Sequence, residues 1–226
     1  MNDLSHRARQ ITLASVLAAY PDEEAVSVLH DLERDLATHP AAGPVLAALA
    51  APRGEDDLRS AFVDLFDRGG QRASLHETEY GRMRGMSKGN DLADIAGFYN
   101  AFGLGVDSEA AHETPDHIAI ELEFYAMLLL KEAHLTERGD DEGRSIVKDA
   151  RQKFLRDHLG SFAAAIVARP DVASDPVYGP VFGWVRDIVA VECRDLGVTP
   201  APLDYFSDGE AKEEMKCGSV HLPIVS

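Results

Sequence analysis

The sequence predicts an all-α fold, a single globular bundle of about eight helices. Two observations carry that prediction and one sharpens it. Apolar residues recur three and four apart in one segment after another. No segment alternates apolar and polar residues with the period of two that marks a half-buried strand. One stretch, Pro115–Leu130, is apolar on nearly every side, the pattern of a helix buried on nearly every side.

The first stripe is Leu4, Ala8, Ile11, Ala14 and Leu17, and it stops before Pro21. Asp22 is placed to cap a second helix bearing Ala25, Val28, Leu29, Leu32 and Leu36, which ends near His39-Pro40. A short helix is expected over Gly43–Ala51, then a break at Pro52-Arg53-Gly54. Glu55–Asp67 is helical again, with Leu58, Phe62, Leu65 and Phe66 inward. Arg68–Gly89 has no clear period, and so long a loop inside a compact domain points to a function. Asn90 caps a helix with Leu92, Ile95, Phe98, Tyr99 and Phe102 on one face, stopped by Gly103 and Gly105.

The central helix follows a linker. Thr114 is read as its N-cap, Pro115 as a first-turn residue, and Asp116 as a favourable charge near the positive end of the helix dipole. Its two carboxylates, Glu121 and Glu123, need partners if buried. Ile146, Ala150, Phe154, Phe162 and Ile166 mark one long helix ending before Pro170. Val177, Val181, Trp184, Ile188 and Val191 mark the last, ending at Gly197. The helical domain is expected over 1–206, with 207–226 an extended or disordered tail.

Charge and composition narrow the function. With 226 residues and 45% hydrophobic content, the chain suits one domain with a sizeable core. Its formal charge of −17 argues against nucleic acid and anionic membranes, which need clustered Lys and Arg. It suits a basic partner, or simple solubility. Arg7, Arg9 and Gln10 interrupt the apolar pattern of Met1–Tyr20, so no secretory signal is read there, and no stretch has the length of a membrane span. Cys193 and Cys217 form no CxxC, and Cys193 reads as an inert core thiol. The expected setting is the cytoplasm, without stable membrane association.

Several chemistries can be weighed. His76, Glu77, Glu79, His112, His117 and Glu121 could supply metal ligands, and His117 and Glu121 sit four apart. A di-iron bundle would want Glu-x-x-His from two helices, which the chain does not supply. A metal-dependent all-α enzyme using His117 and Glu121 is therefore the alternative reading. Neither cysteine has the context of a nucleophile, and no phosphate-binding glycine loop is present. No cofactor and no metal are expected. Two irregular connections, Arg68–Gly89 and Gly103–Thr114, flank apolar helices and could leave a groove for a peptide. Glu77, Glu79, Asp116 and Glu121 near its mouth would favour a basic one.

Three stretches carry a resemblance. Leu58–Phe66 followed by Ser74–Gly81, then Asp91–Leu104, then Glu113–Phe124 (ETPDHIAIELEF) resemble the TorD/NarJ/DmsD family of maturation chaperones for molybdenum enzymes. Within it the chain looks most like the chaperone (delta) subunits that accompany dimethyl sulfide dehydrogenase, ethylbenzene dehydrogenase and chlorate or selenate reductases. The resemblance implies a non-enzymatic protein. It would bind the N-terminal or twin-arginine segment of an apo catalytic subunit and hold it ready for cofactor insertion, assembly and export. It implies a peptide site at Pro115, Asp116 and His117, with Glu121 below. Phe66, Glu79, Tyr80 and Tyr99 are added as neighbours of that mouth. Monomer and dimer both remain open.

Overall fold

The computed structural model describes residues 3–67, 73–81, 88–105 and 113–203. Among them every regular element is helical, apart from one isolated antiparallel bridge between His76 and His117. The expected tail, 207–226, lies outside the described residues.

Helix α1 (Asp3–Ala18) buries Ala8, Ile11, Ala14, Leu17 and Ala18, the stripe its spacing predicted. Asp22 caps α2 (Glu23–Asp31) by accepting the Ala25 amide at 2.8 Å. The helix expected to continue to His39 instead breaks at Leu32, and α3 (Glu33–Leu36) is a single turn. Next come α4 (Ala42–Leu49) and α5 (Gly54–Phe62), which runs on as a π-helical turn, Val63–Asp67. Helix α6 (Lys88–Ala101) starts two residues earlier than Asn90. Helix α7 (Ile118–Arg138) is the central one, and Gly139, at φ +69°, ends it in the left-handed conformation that glycine accepts most readily.

The helix predicted as one piece from Ile146 to Ile166 is three pieces. They are α8 (Asp141–Phe154), a second π-helical turn Leu155–Leu159, and α9 (Gly160–Val167). Gly160 has a steric reason: a Cβ there would lie 2.3 Å from the Leu155 carbonyl oxygen and 2.5 Å from Pro200. Pro170 does not only end the preceding helix; it opens α10 (Pro170–Ser174), where its missing N–H is harmless. Helix α11 (Tyr178–Leu196) closes the bundle.

Helix α7 packs along α1 and against α8, and α11 packs across α9 and α1. Where these helices meet, the core holds ions. Arg151, 2% exposed, bonds to Glu132 of α7, to Glu192 of α11 at 2.7 Å and to the Tyr125 hydroxyl at 3.1 Å. Tyr125 donates to Glu192 at 2.8 Å, and Arg7 of α1 grips the same Glu192 with two bonds of 2.6 Å. Two arginines, two carboxylates and a phenol thus tie four helices together. Cys193 sits one residue beyond Glu192, buried, and burial pushes its thiol up to about 11, the behaviour of an inert core cysteine.

Candidate functional site

The start of α7 is built by a segment from elsewhere in the chain. Ala73–Gly81 crosses the N-terminus of α7 and is closed on itself, because the Tyr80 hydroxyl accepts the Ser74 amide and donates to the Ser74 carbonyl. Two backbone bonds join it to α7: Glu77 N–H to Asp116 carbonyl and Ile118 N–H to Leu75 carbonyl, each 2.9 Å. These bonds hold His117 extended, so the helix begins three residues later than Pro115. Thr114 is not the cap. His117 is, through Nδ1, which accepts the Ala119 amide at 3.2 Å. Pro115 sits in the turn before it, and its carbonyl accepts the Tyr99 hydroxyl at 2.8 Å.

Asp116, 1% exposed, is the knot of this arrangement. One carboxylate oxygen takes the Thr78 amide and hydroxyl at 3.2 and 2.6 Å. The other takes the Thr114 hydroxyl and lies 3.5 Å from His76 Nδ1. Burial alone would raise the acid's pKa; the bonds from His76, Thr114 and Thr78 outweigh it and hold the carboxyl well below its usual range. Burial also works against charge on His76, but Asp116 and Glu113 prevail and raise it. Burial, and then the nearby His76, push His117 down to about 3, so its ring is neutral.

Beneath the knot lies Glu121, fully buried, with neither oxygen hydrogen-bonded. Burial, then the charges of Glu77 and Asp116, push it well above the carboxylate range, so it stands as a neutral acid. A carboxyl that binds its proton more tightly folded than unfolded stabilises the fold at low pH, and that contribution is lost as pH rises above the unfolded pKa. Relative to wild type, Glu121→Gln is therefore expected to gain stability as pH rises from about 5 to about 8, by up to about 1.4 kcal/mol per unit. Urea unfolding across that range measures it; a difference that stays constant with pH would refute the neutral acid.

On the opposite side of His117 a groove of about 840 Å³ opens between the end of α1 and the start of α7. Ala19, Tyr20, Val63, Ala119 and Ile120 make its apolar wall. Asp22, Asp67, Glu113 and Glu123 place four carboxylates around it, and among the described residues its lining contains no Lys or Arg. Such a surface takes cations carried on apolar stems, as arginine side chains are.

Of the residues singled out in the sequence, Pro115, Asp116, His117 and Tyr99 come together at the start of α7, with Glu121 buried below, and of these His117 lines the groove. Tyr80 closes the crossing segment rather than lining the groove. Glu79 points outward and pairs with Lys88 at 2.7 Å. Phe66 is in the core, edge-on to Tyr178 and Phe182, because it faces inward from the π-turn whose next residue, Asp67, lines the groove. His117 and Glu121 form no ligand pair, since Nδ1 of the histidine caps the helix and the glutamate is sealed below. Among the described residues no group of three His, Cys, Asp or Glu is disposed to hold a metal. A cleft of about 450 Å³ opens between α6, α7 and α8, lined by Phe98, Phe102, Lys131, Leu135 and Ile146. The larger, acidic groove lies between α1 and α7, where Ser15 donates to the Ala119 carbonyl at 2.9 Å. Sequence reasoning missed Tyr20, Asp67, Glu113, Thr78, Asp94 and His158. The first two lie far along the chain from the motif, and only their acidic and aromatic character among apolar neighbours marks them.

A family described as the nitrate reductase delta subunit matches residues 29–168, a stretch that holds the crossing segment and all of α7. The chain belongs to that family. Among its relatives is a chlorate reductase assembly chaperone of Ideonella dechloratans, 28% identical over 65% of this chain and 74% of its own length. A selenate reductase assembly chaperone of Thauera selenatis is 28% identical over 57% and 66%. A dimethyl sulfide dehydrogenase assembly chaperone of Rhodovulum sulfidophilum is 28% identical over 73% and 68%. In this delta-subunit family member, no described helix is long and apolar enough to cross a membrane.

Proposed function

We propose that this protein is a cytoplasmic assembly chaperone that holds the immature catalytic subunit of a molybdenum oxidoreductase by its N-terminal or twin-arginine segment, before cofactor insertion and export. The single observation behind this reading is the groove at His117, apolar along its wall and ringed by four carboxylates. The names of the relatives supply the client class. The protein binds and does no chemistry: its most unusual acid, Glu121, is sealed away from the groove. Arginine stems lie along Val63, Ala119 and Ile120 while their guanidinium groups meet Asp67, Glu113 and Glu123. Specificity comes from apolar burial, and arrival rate from charge.

The test is titration calorimetry with a synthetic peptide carrying an Arg-Arg pair followed by apolar residues, and with its Gln-Gln counterpart. Saturable binding of the first and none of the second is expected. Replacing Asp67 and Glu123 by Lys should slow association at low salt by about ten-fold or more, with the difference shrinking as salt rises. Equal binding of both peptides, or no effect of the double reversal, would remove the groove from consideration.

A further inference from the structure

We propose that a proton held in the Glu77–His158 contact fastens the Ala73–Gly81 segment to the bundle, which makes His158 a positioning residue for the groove. The role of the groove rests on the peptide-binding reading above; the fastening does not.

The π-turn Leu155–Leu159 swings His158 beneath the crossing segment, with the ring between Phe98 and Phe154 at centroid distances of 5.6 and 5.5 Å. Each ring nitrogen meets a carboxylate. Nδ1 lies 3.1 Å from Glu77 Oε2, and Nε2 lies 3.2 Å from Asp94 Oδ2. A neutral imidazole has one N–H, and a carboxylate only accepts. Two carboxylates on one neutral ring would therefore leave a lone pair facing a negative oxygen. The geometry requires one more proton. With Asp94 at the exposed end taking the Nε2 hydrogen, the extra proton sits between Nδ1 and Oε2, on whichever atom holds it.

The surroundings retain it. Asp91 and Asp94 come from α6, Glu121 from α7, Asp116 from the turn before α7, and Asp157, paired with Arg156, from the histidine's own turn. Phe154 of α8 adds only a ring. Burial raises Glu77 against the pull of His158, and Glu77 and Asp94 raise His158 against its burial. Both shifts favour keeping the proton at neutral pH.

Loss of the proton would set a buried carboxylate against a lone pair at 3.1 Å, among the acidic groups of Asp116 and Asp91. The segment then loosens from below. It carries His76, which lies 3.5 Å from Glu113 and stacks edge-on against His117, both groove residues. Loosening it therefore displaces the groove's cap and one of its four carboxylates. Arginine does not titrate in this range, so with an N-acetylated peptide that carries no other group titrating there, a pH-dependent affinity reports on the protein.

The experiment follows two readouts on the full chain from about pH 6 to about pH 9. One is the hydrogen-exchange protection factor of the Glu77 and Ile118 amides, corrected for intrinsic rates. The other is the affinity for the Arg-Arg peptide. In wild type, protection is expected to fall by up to about ten-fold per pH unit as the proton is lost, and affinity to fall with it. Glu77→Gln is expected to reduce the pH dependence to the part that His76 contributes through Asp116 and Glu113, because the Gln amide donates to a neutral Nδ1. His158→Asn should also flatten the profile; if it does not fold, the Gln variant decides alone. Protection that is flat with pH in wild type, or that varies with pH as steeply in Glu77→Gln as in wild type, overturns the proposal. Protection that varies as expected while no peptide binds supports the fastening and overturns the peptide reading instead.

Discussion

Replacing Arg151 with methionine is expected to destabilise the protein by about 3–5 kcal/mol. Methionine fills much of the space of the arginine stem but neutralises nothing. Glu132 and Glu192 would be left buried, with Arg7 reaching only the second. The loss is therefore dominated by an uncompensated charge rather than by a cavity. For a chain of this size it corresponds to a fall of about 10 °C in Tm. Calorimetry checks the size, and a second variant checks the cause: adding Glu132→Leu to Arg151→Met should recover a large part of the loss. If the double variant is less stable than the single one, the charge account is wrong and packing governs.

Asp116→Ala is expected to act on both stability and binding. It removes the acceptor for the Thr78 amide, the Thr78 hydroxyl and the Thr114 hydroxyl, and strands a buried N–H. A cost of about 2–4 kcal/mol follows from losing charge-assisted bonds of this kind. Helicity should be unchanged, because none of these bonds belongs to a helix. Affinity for a basic peptide should fall about ten-fold or more as Glu113 and His117 lose their support. The pH signature separates this variant from others. An acid held below its usual pKa stabilises the fold above the unfolded value, and that stability is lost as pH falls through the folded one. The gap between wild type and Asp116→Ala should therefore be full near neutrality and close as pH drops from about 5 toward about 2. A gap that persists in acid would mean the loss lies in packing.

Much of the fold was legible in the sequence because helix spacing is a local property. The stripe of α1, the Asp22 cap and the all-round apolar α7 could each be read from a few neighbouring residues. The misplaced boundaries share one cause: a partner distant in sequence. Pro115 looks like a first-turn residue until Leu75 and Glu77 take the backbone of 116–118 into a bridge. The split of α2 from α3 and the π-turn after Phe154 also leave the apolar spacing nearly intact, so periodicity alone passes over them.

For the candidate site, the motif Glu113–Phe124 supplies one side of the groove, through Glu113, His117, Ala119, Ile120 and Glu123, but not the other. Tyr20 and Asp67 complete it from about a hundred and about fifty residues away respectively, a reach no local pattern has. The buried ions are a partial exception. Arg151 falls between Val147 and Phe154 on an apolar stripe, and Glu192 falls beside Val189 and Cys193. A charge in such a position announces a partner, though not which one.

The π-turn at Leu155–Leu159 can also be viewed as a shift in helical phase. An ordinary α-helix running from Asp141 to Val167 would carry its second half at a different rotation about the axis, and His158 would be turned away from Glu77. The wide turn absorbs one surplus residue. Deleting a single residue there would give a smoother helix, with better local geometry by every backbone criterion, and would unlatch the segment that shapes the groove. The irregularity is thus the coordinate that sets α8 and α9 in different registers, one facing Arg151's partners and the other facing Tyr80 through Phe162.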